Sequence, residues 1–487
     1  MKKWTYFIFI ICNLGLFSWI GQRLILNNPL SETVVDRTPA KIQDTESEIY
    51  PITDGNRISD AQKLKLLTAL IYEKSSKAKI EILKELEDNW EPDFVPVMIE
   101  YVRLSPDRPF VREVIKLLNK KTGQNIGQDF ISWLEWVWES EPSYGAYYGD
   151  FKGDFYQFID PKFRKYFHQR QTSSNIRLDE IVWGGVKQDG IPPLRFPDLI
   201  SAEEADYLDG DNIVFGIYMN GEAKAYPKRI LAWHEFVTDT FGDTKVAGVY
   251  CTLCGTMIAY DMVYRDTFHD LGTSGFLYRS NKLMYDKATQ SLWNTIEGAP
   301  VVGPLADKGI KLKSYSVVTT TWKEWKKQYP DTKVLSLSTG HTRDYSEGAA
   351  YRDYFATDIL MFPVPKLDRR LANKEEMFIV RAPNYREDPL AITVDYLRRK
   401  KWHVDKIGNT KMVIVADKTG AAWAFDIGDN EMLSYKKGVL TDKDNRSWTL
   451  VNNTLQSSDN QTLQPLSSHN IFWFAWYNAY PETRLVR

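Results

Sequence analysis

The sequence predicts an α+β protein, an N-terminal α-helical repeat segment followed by a strand-rich, internally duplicated domain of two lobes. Three observations predict it. Between residues 60 and 138 apolar side chains recur at helical spacing. From about residue 179 strand and hairpin signals replace that period. Within this second region several stretches occur twice, in the same order.

The chain opens with Lys2 and Lys3 before an apolar run from Trp4 to Ile20. At ~1.5 Å per residue that run spans roughly 25 Å, a little short of a ~30 Å hydrocarbon core, and it lengthens through Leu26 only past Gln22 and Arg23. Basic residues ahead of an apolar stretch predict a signal anchor over residues 1–26 with a cytoplasmic N-terminus. No small-x-small cleavage site follows Ile20. The expectation is an uncleaved membrane helix, a tether over residues 27–59, and a body outside the cytoplasm (periplasm or cell surface), where a cysteine pair is free to oxidise.

In residues 60–138 the apolar positions include Leu67, Leu70, Leu83, Leu86, Val102, Val114, Leu118 and Trp133, with breaks at Glu91-Pro92, Ser105-Pro106 and Thr122-Gly123. Helices of this length with short turns read as HEAT-like pairs and predict a scaffold surface for a protein partner. Residues 139–178 are rich in Tyr and Phe but lack a period, which predicts an irregular connector. The net charge of −2, with Lys and Arg spread along the chain, excludes a global attraction to nucleic acid.

Residues 179–340 form the first lobe and 341–487 the second. Ile213 to Met219, Asn220-Gly221 and Glu222 to Tyr226 predict a hairpin. Ile230, Leu231, Trp233 and Phe236 predict a short helix or bend carrying His234 and Glu235. FGDTK at 241–245 matches IGNTK at 407–411, and GVYCTLCGTMIAYD ending at Asp261 matches VIVADKTGAAWAFD ending at Asp426. Trp293, Trp325 and Tyr329 fall on Trp448, Trp476 and Tyr480. In this alignment Cys251 and Cys254 become Ala416 and Thr419, whereas Gly255 and Gly420 are both kept. The first lobe is longer between its Asp261 and Trp293, and the extra stretch begins beside the cysteine turn, so it is placed to cover that turn.

Cys251 and Cys254 are two of only three cysteines, and apolar residues flank them on both sides. The pattern predicts strand, tight turn, strand, with Gly255 where the turn needs a positive φ. A helix-borne redox pair would follow Cys254 with helical periodicity, which is not seen here. A C-x-x-C-G turn between strands is the layout of a metal-binding knuckle. There is no second cysteine pair, so further ligands must be histidine or carboxylate: His234 first, then His469, then His269. Soft thiolates with histidine select copper or zinc. A disulfide, structural or redox-active, and a nucleophilic thiol remain alternatives on the same two cysteines. In a catalytic version Glu235 is the candidate general base. Gly272, Ser274 and Arg279 form a polar, glycine-bearing stretch that reads as an anion-gripping loop or a plain turn, and it lacks the spacing of a phosphate loop. No nucleophile elbow, His-Glu-x-x-His or dinucleotide fingerprint occurs.

The stretches DNIVFGIYMNGEAKAYPKRILAWHEFVTD, VAGVYCTLCGTMIAYD, GTSGFLYRSNKLMYDKATQSLWNTIEGAPVVG and HNIFWFAWYNAYPETRLV resemble the family called domain of unknown function 3179, over roughly residues 180–487. The family's motif is similar to C-P-L-C-G, with Thr252 here where proline is common. His234-Glu235 and His469 also match its pattern. The resemblance implies candidate residues and no settled activity.

Overall fold

The computed structural model describes residues 58–167 and 173–487. The membrane anchor assigned to residues 1–26 lies outside the described residues, as does nearly all of the tether. Among the described residues no helix is long and apolar enough to cross a membrane. The chain forms two compact units. One takes in the residues up to Gln188 with Val302–Pro304 and Met361–Pro365; the other takes in Asp189–Val301, Leu305–Leu360 and Lys366–Arg487.

The first unit is helical: α1 Asp60–Tyr72, α2 Ser76–Asp88, α3 Val95–Leu104, α4 Arg108–Thr122, α5 Phe130–Ser140, α6 Tyr148–Tyr156 and α7 Arg164–Phe167. Local chemistry sets the ends. Ser59 and Gln62 cap α1 reciprocally, Asp107 accepts from the Phe110 amide at the start of α4, and left-handed Gly123 closes α4. Leu67, Leu70, Leu83, Leu86 and Val114 supply buried faces, as their spacing predicts. Residues 148–156 are helical where the missing period predicted an irregular connector. Tyr148 and Tyr156 lie on the buried side of α6 and donate to the Glu100 carboxylate, at 3.2 and 2.6 Å. Tertiary contacts thus override a glycine-containing sequence of weak helical period.

The second unit is strand-rich. β1 Ile213–Met219 and β2 Glu222–Pro227 make a hairpin whose turn residues Asn220 and Gly221 have φ of 53° and 81°. α8 Lys228–His234 follows, then a meander of β3 Phe236–Phe241, β4 Thr244–Cys251 and β5 Thr256–Asp261. β6 Leu271–Tyr278, β7 Asn281–Asp286 and β8 Leu292–Asn294 form an antiparallel ladder. β9 Val318–Thr321, α9 Trp322–Gln328 and β10 Lys333–Leu335 close the lobe; the five-stranded hairpin sheet runs β9-β1-β2-β10 and ends on the short strand Leu199–Ser201, with β10 parallel to β2. The short α10 Arg352–Ala356 then leads into the second lobe. There β11 Glu376–Val380, β12 Leu390–Thr393, α11 Val394–Lys400 and the meander β13 Trp402–Ile407, β14 Thr410–Ala416 and β15 Ala422–Asp426 come first. β16 Met432–Lys436, β17 Val439–Asp442, β18 Ser447–Val451 and β19 Thr454–Ser457 follow, then β20 Ser468–Phe472, α12 Trp473–Ala479 and β21 Arg484–Val486. This lobe's sheet runs β20-β11-β12-β21, with β21 parallel to β12.

The lobes share a core in which Val214, Trp322 and Trp325 pack in one cluster with Val413, Trp423 and Trp448. They are joined by main-chain bonds: the Val317 amide donates to Ser468 O and the Phe472 amide to Cys254 O, both at 2.8 Å. The cysteine turn therefore lies where the lobes meet. Gly216 on β1 has no room for a side chain, since a Cβ there would sit 2.2 Å from the buried Trp325 ring. Gly216→Ala is expected to lower unfolding stability by about 1–3 kcal/mol in urea denaturation, as overpacking of a filled core does.

Candidate functional site

The predicted strand-turn-strand forms as β4 and β5, with Cys251 paired to Thr256 across the ladder. Inside the turn the Cys254 amide donates to Cys251 O at 3.1 Å, and Gly255 takes φ of 60°. A Cβ on Gly255 would meet the Phe472 ring at 2.6 Å, so close packing as well as φ selects glycine here.

Both thiols are free and buried, Cys251 at 1% and Cys254 at 0% exposure, and their Sγ atoms lie 2.6 Å apart. The hairpin of β6 and β7, within the extra length of the first lobe, covers them. Its two turn residues, Arg279 and Ser280, have φ of 50° and 61°, the left-handed pair that a two-residue hairpin turn requires. Ser280 O accepts from the Cys254 thiol at 3.7 Å, and Asn281 Nδ2 donates to Cys254 Sγ at 3.3 Å.

The surroundings treat the thiols differently. Burial pushes the Cys251 thiol up, but the Cys254 thiol, the Lys282 backbone amide and the Lys282 charge outweigh it and leave Cys251 below the usual thiol range. Burial and the neighbouring Cys251 hold Cys254 well above that range. Cys251 is thus the group that ionises first. The Lys282 Nζ is itself buried, 3.1 Å from Glu235 Oε2 and 2.7 Å from Glu235 O. Glu235 closes α8 in the left-handed region, and Tyr351 reaches its Oε1 at 3.4 Å. Tyr354 donates to Leu253 O at 2.7 Å, fastening α10 onto the cysteine turn.

The predicted histidines are placed otherwise. His234 is fully buried with both ring nitrogens occupied, Nδ1 by Pro192 O at 2.8 Å and Nε2 by the Tyr345 hydroxyl at 2.5 Å. Its ring is therefore spoken for by groups other than the thiols. His469 lies beside the turn: its Nδ1 bonds the Thr256 hydroxyl at 3.0 Å, while its Nε2 is buried without a partner. His269 pairs with Asp286 at 3.1 Å and packs on Trp293. Among the described residues no group of three or more His, Cys, Asp or Glu side chains is placed to hold a metal ion. Gly272 and Ser274 lie inside β6 and do not form a loop. Gly272 passes under the Tyr285 ring, and the Ser274 hydroxyl donates to Leu283 O at 2.6 Å. Arg279 sits in the hairpin turn and donates to Asn478 O at 2.9 Å. Gly272 pairs with Tyr285 across the ladder, and Ser274 falls in the irregular stretch between Thr273 and Leu277.

Burial lowers His234 to about 4, assisted by His341 and Arg343, and lowers His469 to about 3, assisted by Arg381. Unfolded histidine titrates near 6.5. Both native values are depressed, so this stability is present above pH ~6.5 and is lost as pH falls toward 4. Each histidine is expected to cost about 1.4 kcal/mol per pH unit in that window. Urea denaturation at several pH values checks this, and His469→Gln should remove about half of the slope.

The fold and site define a strand-rich α+β domain with a buried cysteine pair. The family profile described as Protein of unknown function (DUF3179) matches residues 188–483, more than half of the chain, and the chain belongs to that family. No curated protein and no solved structure matches it.

Proposed function

We propose that Cys251 and Cys254 form a redox-active dithiol that cycles between two thiols and a disulfide. The observation that carries this reading is the pair of touching thiols with opposite acidities. Cys251 is prepared as the attacking thiolate, and Cys254 keeps its proton until it resolves the intermediate. With a small disulfide as oxidant, the Cys251 thiolate attacks one sulfur and releases the other as a thiol. Cys254 then loses its proton, attacks Cys251 and releases the second thiol. Two thiols and one external disulfide become an internal disulfide and two external thiols. Lys282 stabilises the Cys251 thiolate, and Glu235 positions Lys282.

We also infer that the lobes arose by duplication. Four strands of the first sheet follow the order of the second, and each lobe bonds a tryptophan to a threonine at 2.9 Å, Trp325 to Thr332 and Trp476 to Thr483. Helices α8 and α11 both end on a left-handed residue, Glu235 and Lys401, which accepts from Tyr250 and Ala416 respectively. This register moves the sequence alignment by one residue, so that Cys251 falls on Asp417. The Asp417 carboxylate accepts from the amides of Thr419, Gly420 and Ala421. A lobe of the same topology thus holds its turn without thiols, which favours a chemical role for the cysteines over a structural one.

A second reading puts a soft cation, copper or zinc, on the two thiolates. Its support is the free His469 Nε2, on a ring whose Nδ1 is fixed by Thr256, the pattern of an oriented metal ligand. The anchor expected over residues 1–26 would hold the domain outside the cytoplasm, and the HEAT-like reading of α1 to α5 would offer a docking face for a protein partner. One experiment separates the two chemical readings. Full-length protein with Cys12→Ser is prepared under reducing conditions, analysed for metals, then treated with oxidised glutathione. The dithiol reading expects no stoichiometric metal and an intact mass lower by two hydrogens. One copper or zinc per chain, lost in Cys251→Ser, favours the second reading.

A further inference from the structure

We infer that the cavity between the two lobes is a binding site for a small organic monocarboxylate. The cavity measures about 140 Å³ and takes walls from both lobes, among them Lys228, Tyr250, Gly255, Thr320, Glu376 and Gly420. A cavity near 150 Å³ accommodates benzene, so the ligand has about six non-hydrogen atoms.

Two buried hydroxyls on this wall are left without partners, and a cation beside them lacks a polar one. The Tyr250 hydroxyl and Thr320 Oγ1 are buried with no hydrogen bond. The Lys228 ammonium stands 3.9 Å from the centre of the Phe355 ring, and burial lowers its affinity for a proton. Neither a hydrogen bond nor an ion pair holds it among the described residues. More than nine in ten buried polar atoms have a partner, so two buried orphans beside a cation that no carboxylate holds, from three separate elements around one cavity, point to a ligand that satisfies them. One cation and two hydroxyl donors match the charge and the lone pairs of a carboxylate. Glu376, exposed at the rim, adds a negative charge that disfavours a dianion and accepts a neutral or cationic far end. The wall also includes Gly255 and Gly420, with φ of 60° and 97°, where a Cβ would meet Phe472 or Val394. The cysteines do not line the cavity, so this inference stands apart from the dithiol reading, and its assay returns the same answer whether or not the pair oxidises.

The test is calorimetric titration of the full chain with propionate, L-alanine and inorganic phosphate. Saturable binding of propionate or alanine is expected, weakened about tenfold or more in Lys228→Met and several-fold in Thr320→Val. Thermal unfolding confirms that each variant is folded, and Thr320→Val carries the test if Lys228→Met is not. Absence of saturable binding of both carboxylates to about 50 mM overturns the inference. So does binding that is unchanged in the folded variants. Tighter binding of phosphate than of either carboxylate overturns the assignment of ligand class.

Discussion

Lys282→Met is expected to destabilise the second unit by about 3–5 kcal/mol in urea denaturation at neutral pH. Lys282 is 6% exposed at its side chain and Glu235 9%, and the ammonium bonds both the Glu235 carboxylate and its main-chain oxygen. Methionine matches the stem but leaves a carboxylate buried without its cation, which is the costly half of breaking such a pair. Glu235→Gln in the same chain removes the stranded charge and should recover the larger part of the loss. The variant should also raise the Cys251 pKa, because the Lys282 charge is among the causes that lower it. The pH dependence of iodoacetamide alkylation then moves to higher pH. A stability loss below about 1 kcal/mol would contradict the role given to the pair.

The helical unit carries the second large effect. Glu100 on α3 is buried with Lys152 on α6; Lys152 Nζ lies 2.5 Å from Glu100 Oε1, and two tyrosine hydroxyls donate to the same carboxylate. Burial raises the Glu100 pKa, but Lys152 and Arg103 outweigh it and leave the group below its ordinary value. A depressed native value contributes stability above the unfolded carboxyl pKa, near 4.3, and loses it as pH falls. Lys152→Met reverses the sign, since burial then dominates. The expected loss is about 3–5 kcal/mol at pH 7, shrinking as pH approaches 4 and Glu100 takes a proton. Circular dichroism during urea unfolding at pH 7 and pH 4.5 measures both.

Much of the fold could be read from local pattern. Apolar flanks around Cys251 and Cys254 with Gly255 behind them gave the strand-turn-strand, and Asn220-Gly221 gave the hairpin at its observed register. Pro92, Pro106 and Gly123 marked real helix boundaries. The site was only half legible. The cysteines, Glu235 and the extra length over the turn were visible, whereas Lys282 and Asn281 were not singled out as ligands of the thiols. Their contact depends on a hairpin turn at Arg279 and Ser280, which lacks the Asn-Gly or Gly-x pair that marks a two-residue hairpin in sequence. A clue was present, since Asn281 and Lys282 are polar residues beside the apolar Leu283 and Met284 in a strand buried along its length. The partners that His234, the first metal candidate, has in this structure were not legible, because Pro192 and Tyr345 are far away in sequence. Chain order does not say which neighbour claims a ring nitrogen.

The most direct test is a thiol count against redox potential in glutathione buffers, on full-length protein with Cys12→Ser. The account predicts that both thiols disappear together, in one two-electron transition with a slope near ~30 mV per decade, and that Cys251→Ser and Cys254→Ser each abolish it. Two thiols that persist across the whole range, into excess oxidised glutathione, would contradict it.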